Sequence, residues 1–84
     1  MTETKQILPK WFKGEVYQHG DIVENRFGGD SIKLNAIELS MYDFIIGASM
    51  LIEMDIAPSS VDNLREGLSW FRKNNAEAYM ILLD

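Results

Sequence analysis

The chain has 84 residues, a net charge of -5, 46% hydrophobic and 11% aromatic residues, and no cysteine. A chain this short buries about 63% of the surface that its unfolded form exposes, enough for one domain, and its apolar content excludes an intrinsically disordered protein. Without cysteine, a disulfide scaffold, a thiolate zinc site and a cysteine nucleophile are excluded as well.

In chain order, residues 1–8 read as frayed, and the mixed polar and apolar opening does not read as a signal peptide. Pro9 to Gly14 suits a short helix, with Pro at its first position and Gly just past one turn; an extended edge segment is the alternative. Glu15-Val16-Tyr17 is a short strand candidate, and Gln18-His19-Gly20-Asp21 a turn. Gly28-Gly29, between two alternating runs, supplies the positive φ values of a hairpin turn. The resulting register sets Arg26 opposite Ser31, Asn25 opposite Ile32, Glu24 opposite Lys33 and Val23 opposite Leu34. A four-residue loop from Phe27 to Asp30 gives the same pairing. Val23, Phe27, Ile32 and Leu34 then share one face, and Glu24 and Lys33 form a cross-strand ion pair.

The first long helix starts at Asn35, whose side chain caps the backbone while Glu38 completes a capping box, and it runs to about Met54. Glu38, Ser49 and Glu53 form its narrow polar sector, and almost all the rest of its circumference is apolar. Phe44 to Ile52, its longest apolar or small run, is far short of the roughly 20 residues of a membrane span, so a cytoplasmic protein with no membrane role is expected. A second helix follows Pro58, capped by Ser59 or Ser60, with Val61, Leu64, Leu68 and Phe71 as its apolar stripe and Trp70 projecting away from it. Asn74, with Glu77 three residues on, caps a short third helix from Asn75 to Leu83. The predicted fold is α+β: one domain in which a small antiparallel β-meander or hairpin, residues 15–34, packs with two main helices and a short C-terminal one, residues 35–84.

Candidate chemistry is sparse. His19, Asp21 and Glu24 are of metal-ligating types, but on one turn without a second cluster they read as solvated, and no metal or cofactor is expected. Gly28-Gly29 belongs to no phosphate-binding pattern. The eight basic residues are scattered, with Arg72 and Lys73 the one adjacent pair, so no nucleic acid is expected. Trp11 and Phe12, between Lys10 and Lys13, read as packed under the sheet, with base stacking as the alternative. Acidity is local: Leu34 to Leu64 holds five acids and no Lys or Arg. That stretch is either the solvated side of an apolar helix or an acidic face that steers a basic partner. Asp43 falls among Met50 and Met54, as a buried carboxylate that would accept a hydrogen bond from Tyr17, Tyr79 or Trp70.

Leu39-Ser40-Met41-Tyr42-Asp43-Phe44-Ile45-Ile46-Gly47-Ala48, the run from Gly67 to Asp84, and Gly20-Asp21-Ile22-Val23 with Asn25 and Phe27 resemble a family of small uncharacterised proteins of marine bacteriophages, cyanophages in particular. The resemblance implies the cytoplasm of an infected host cell and carries no catalytic residues. From the residues themselves, 13 of 19 positions from Ala36 to Met54 and 7 of 8 from Ala76 to Leu83 are hydrophobic. Such an excess predicts a subunit interface. The expected function is therefore a non-enzymatic one by association: a homodimer or larger homo-oligomer that binds a host protein through its acidic face. Glu38, Asp43, Glu53, Trp70, Tyr79, Leu82 and Leu83 are its candidate interaction residues. A virion component is the alternative, and a small metal protein or enzyme a more remote one.

Overall fold

The computed structural model describes residues 6–54 and 60–83. Two strands, β1 (Asp21–Glu24) and β2 (Ser31–Leu34), form an antiparallel hairpin, followed by helices α1 (Ala36–Glu53), α2 (Ser60–Asn74) and α3 (Ala76–Leu82), a small α+β fold. Leu34, Met41, Tyr42, Ile45, Phe71, Ala78 and Leu82 form the core between the hairpin and the three helices.

The hairpin forms where expected, in a register two residues away from the expected one. Asp21 faces Leu34, Ile22 faces Lys33, Val23 faces Ile32 and Glu24 faces Ser31. The cause is Asn25. Its side-chain oxygen accepts from the amides of Phe27 (2.7 Å) and Gly28 (3.1 Å), and its own amide donates to the Asp30 carbonyl at 2.8 Å. These bonds close a six-residue loop, so the two glycines lie inside it rather than forming the whole turn. An even shift preserves the faces, and Val23, Ile32 and Leu34 still pack on the core. Phe27 leaves that face, however. It is 91% exposed at the loop, with the Arg26 guanidinium 5.3 Å from its ring. Glu24 and Lys33 are no longer directly opposite one another.

The expected third strand is absent among the described residues. The Tyr17 amide, which a strand neighbour would have bonded, donates instead to Ser40 Oγ of α1 at 2.9 Å, and that hydroxyl donates to the Ala36 carbonyl at 2.7 Å. Residues 15–17 thus run against α1. Gly20 then brings the chain onto the junction of β2 and α1, where a Cβ would meet the Leu34 carbonyl oxygen at 2.0 Å. Only glycine fits such a backbone approach. Pro9 to Gly14 forms one turn, closed by the Phe12 amide on the Pro9 carbonyl at 3.1 Å.

At the start of α1 the capping box is complete: Asn35 Oδ1 accepts from the Glu38 amide at 2.8 Å, and Glu38 Oε1 accepts from the Asn35 amide at 3.0 Å. The other carboxylate oxygen accepts from Gln6 Nε2 at 2.8 Å, while Gln6 Oε1 accepts from Asn35 Nδ2 at 2.9 Å. Gln6 Nε2 also reaches the Asn74 carbonyl at 3.3 Å. A single glutamine, expected to fray, therefore clasps the first turn of α1 to the last turn of α2. Glu38 becomes only 6% exposed, so it sits in the fold and not on the solvated polar sector expected of it.

α1 and α2 approach closely at Gly67, where a Cβ would meet Ile45 Cγ1 at 3.1 Å. Phe71, from the expected stripe of α2, is fully buried. α2 runs through Asn74 because the Asn75 amide still donates to the Phe71 carbonyl (2.8 Å), which makes Asn75 the first non-helical residue and the cap of α3. Asn75 Oδ1 accepts from the Ala78 amide at 3.1 Å; Asn74, the expected cap, donates its side-chain NH₂ to the Trp70 carbonyl at 2.9 Å. Of the two expected caps of α2, Ser59 lies outside the described residues and Ser60 is the first residue of the helix. Asn25 Nδ2 donates to the Ile81 carbonyl, tying the hairpin to α3.

Replacing Asn35 by Ala removes one cap acceptor and one donor to Gln6, and urea denaturation is expected to show a loss of about 1–2 kcal/mol. In Gly20→Ala the new methyl must displace backbone, and the same measurement is expected to show a loss of about 1–3 kcal/mol.

Candidate functional site: an apolar groove at the end of α1

α1 is covered unevenly along its length. Near its middle, the rings of Trp11 and Phe12 lie 5.7 Å and 5.3 Å from the Phe44 ring, so these two aromatics pack on α1 and the expectation that they lie under the sheet is corrected. Beyond Phe44 this cover stops. Met50 is 49% exposed, Leu51 39% and Met54 62%. Together with Phe44, Gly47, Ala48 and Asn63 of α2 they line an open groove of about 460 Å³. Asp43, Gly47, Met50 and Met54 recur at i, i+4, i+7 and i+11, so they share one face of the helix.

Gly47 is the unusual member of this row. A Cβ built on it meets nothing within 4 Å, so neither packing nor backbone approach requires glycine. In a helix interior glycine costs about 1 kcal/mol relative to alanine. Its effect here is to leave the floor of the groove open between Phe44 and Met50.

Acids predominate on α1 and on the first turn of α2, while Lys10 and Lys13 of the N-terminal segment lie toward the Phe44 end of the groove. Asp43 is exposed, not buried, and accepts a hydrogen bond from the Tyr17 hydroxyl at 3.0 Å, one of its three anticipated donors. That bond, then desolvation and the nearby carboxylate charge, holds the Tyr17 phenol above its ordinary value of 10.0. Burial likewise raises the Tyr42 phenol, one residue from Asp43, against the opposing pull of Arg26. Glu53, exposed, is the last residue of α1, and the last turn of that helix has no base. Asp62, exposed on α2, adjoins Asn63. By contrast Arg65 and Arg72 line a separate cavity of about 270 Å³ with Leu68, Ser69 and Tyr79, on the other side of α2 from Asn63.

The expected interaction residues do not gather in one place. Asp43 lies on the groove face and Glu53 at the end of the same helix, whereas Glu38 is a buried node at the opposite end. Trp70 is half-buried, donating its indole N–H to the Ile7 carbonyl at 3.0 Å. Tyr79 is half-buried with the Arg72 guanidinium 6.0 Å from its ring, Leu82 belongs to the core, and half-buried Leu83 caps α3. Sequence reasoning grouped Asp43 with Met50 and Met54, but as a buried cluster and without Gly47; the three are exposed. The signal of the groove was a glycine and two methionines in register with an acid on a helix with too much apolar surface.

His19, Asp21 and Glu24 are exposed, and Asp21 Oδ1 accepts from the Ile22 amide at 2.7 Å. Among the described residues no three His, Cys, Asp or Glu side chains are placed to hold a metal ion, and no helix is long and apolar enough to cross a membrane. No family model matches the chain, and no curated protein or solved structure matches it.

The Tyr17–Asp43 bond makes a pH prediction. A phenol with a raised native pKa contributes stability that is complete below its unfolded value of 10.0 and is lost as pH rises through the higher native one. Urea denaturation at stepped alkaline pH is expected to show a weaker loss of stability in Tyr17→Phe than in the wild type. In Asp43→Asn, phenolate absorbance is expected to report Tyr17 ionising nearer its ordinary value.

Proposed function

We propose that the protein is non-enzymatic and works by association, binding another protein surface through the groove at the end of α1. The observation that carries this reading is the exposure of Met50, Leu51 and Met54 on a helix whose opposite side is core. Three adjoining large apolar side chains beside an open cavity are a surface that gains by being covered. Methionine supports the reading further, because its unbranched, polarisable side chain adapts to the shape of a partner. The resemblance to marine-phage proteins supplies a setting, in which the partner is a host protein.

A homodimer through α3 is the second reading. It is favoured by Met80, 67% exposed beside half-buried Tyr79, Ile81 and Leu83.

The test is the double variant Met50→Lys/Met54→Lys. Both side chains are largely exposed, so thermal and urea unfolding are expected to change by no more than about 0.5 kcal/mol. Affinity capture from host lysate and sedimentation velocity, run on both proteins, are expected to show an association of the wild type that the variant lacks. A variant that keeps every association of the wild type contradicts the proposal. A variant that fails to fold contradicts it too, since the face would then be core. Disruption by Met80→Lys alone selects the dimer through α3.

A further inference from the structure

Resting on the association reading above, we infer that the occupant of the α1 groove is a cationic amphipathic helix of another protein, seated with its apolar side chains over Gly47 and its basic ones toward Asp43, Glu53 and Asp62. Three separate features of the groove point to it.

The first is shape. Asp43 to Met54 extends about 16 Å along the helix axis, or three turns, which matches the apolar stripe of a short partner helix. The groove has adaptable methionine walls and an open floor at Gly47. The second is that no packing among the described residues uses this glycine, so the space beside it is not filled by them. A partner side chain gives it a use.

The third is charge. Of the acids between Leu34 and Leu64, Asp43 shares the groove face, and Glu53 and Asp62 are exposed on the two helices that line the groove, whereas Glu38 is buried at the other end of α1. α1 also ends with Glu53 at the negative end of its own dipole and with no cation in its last turn, whereas α2 ends with Arg72 and Lys73. A helix end of that kind is stabilised by an approaching cation. The bases of the neighbouring segment, Lys10 and Lys13, flank the aromatics that cover Phe44, at the far end of the groove from Met54. A second copy of this chain seated face to face would bring Asp43, Glu53 and Asp62 against the same acids, which disfavours self-pairing there.

The probes are three synthetic peptides of equal length. One has leucines at i, i+3, i+4 and i+7 with lysines elsewhere, one has glutamates in place of the lysines, and one has the composition of the first with the stripe scrambled. Methionine methyl NMR follows each titration, with buried Met41 and distant Met80 as internal references. The lysine peptide is expected to shift Met50 and Met54 alone, with an affinity that falls as salt rises. The other two are expected to bind weaker by about tenfold or more. Gly47→Leu is the decisive variant: it is expected to melt at a higher temperature, because the space is open and leucine favours helix, and to lose the lysine peptide.

Equal binding of the lysine and glutamate peptides overturns the cationic partner, and shifts centred on Met80 overturn the groove. If no peptide binds but sedimentation shows a dimer that Gly47→Leu breaks, the occupant is a second copy, and the association reading survives without this inference. If no peptide binds and the protein makes no association that Gly47→Leu removes, both readings fail.

Discussion

Helix α1 carries more apolar surface than the rest of the described chain covers, and the other elements are arranged by how they share it. β2 delivers Leu34 to its first turns, α2 sets Phe71 and the side-chain-free Gly67 against Met41 and Ile45, and Trp11 with Phe12 closes over Phe44. Each contact removes apolar area from water at about 25 cal/mol per Å², which draws α2, β2 and the N-terminal aromatics onto α1, while α3 packs on α2 and β2. On the face of Asp43, Gly47, Met50 and Met54 the aromatic cover ends at Phe44, although Ile45 and Ala48 on the core side are still buried. Two strands of four residues and a narrow stripe on α2 do not reach Met50 and Met54, and the groove is what remains.

The polar junction at the other end of α1 fixes this arrangement. Glu38 is buried with both carboxylate oxygens bonded, one to the cap residue Asn35 and the other to Gln6, and Gln6 also touches the end of α2. A buried acid left without such partners would be strongly destabilising, so the clasp orients the N-terminal segment as well as the helix. That segment brings Trp11 and Phe12 onto α1. The extent of the groove therefore depends on a hydrogen-bonded network at the far end of the same helix.

Local signals in the sequence were legible, and long-range ones were not. The capping box at Asn35 and Glu38 is set by residues three apart, so spacing alone reveals it. The same spacing hides the Gln6 bond to Glu38, which spans 32 positions, and with it the burial of that acid. Gly28-Gly29 announced the hairpin, but Asn25 decided its register by drawing two loop amides to its own side chain. Val16 and Tyr17 have a strand-like pattern, yet the amide of Tyr17 found a serine hydroxyl on α1 instead of a strand. Asn74 and Asn75 were equally competent caps, separated only by where the last backbone bond of α2 falls. For the site, the surplus of apolar surface and the local acidity were both readable. Their meeting at Gly47 was not, because it depends on where the aromatic cover stops.

The claim on which all of this depends is that the fold buries the first half of α1 and leaves its last turns uncovered. Mild peroxide oxidation of the dilute protein, followed by mass spectrometry of each methionine, tests it most directly. Met50 and Met54 are expected to oxidise rapidly while Met41 stays protected until the chain unfolds. Protection of Met50 and Met54 to the same degree as Met41 in the dilute, monomeric protein would contradict the account.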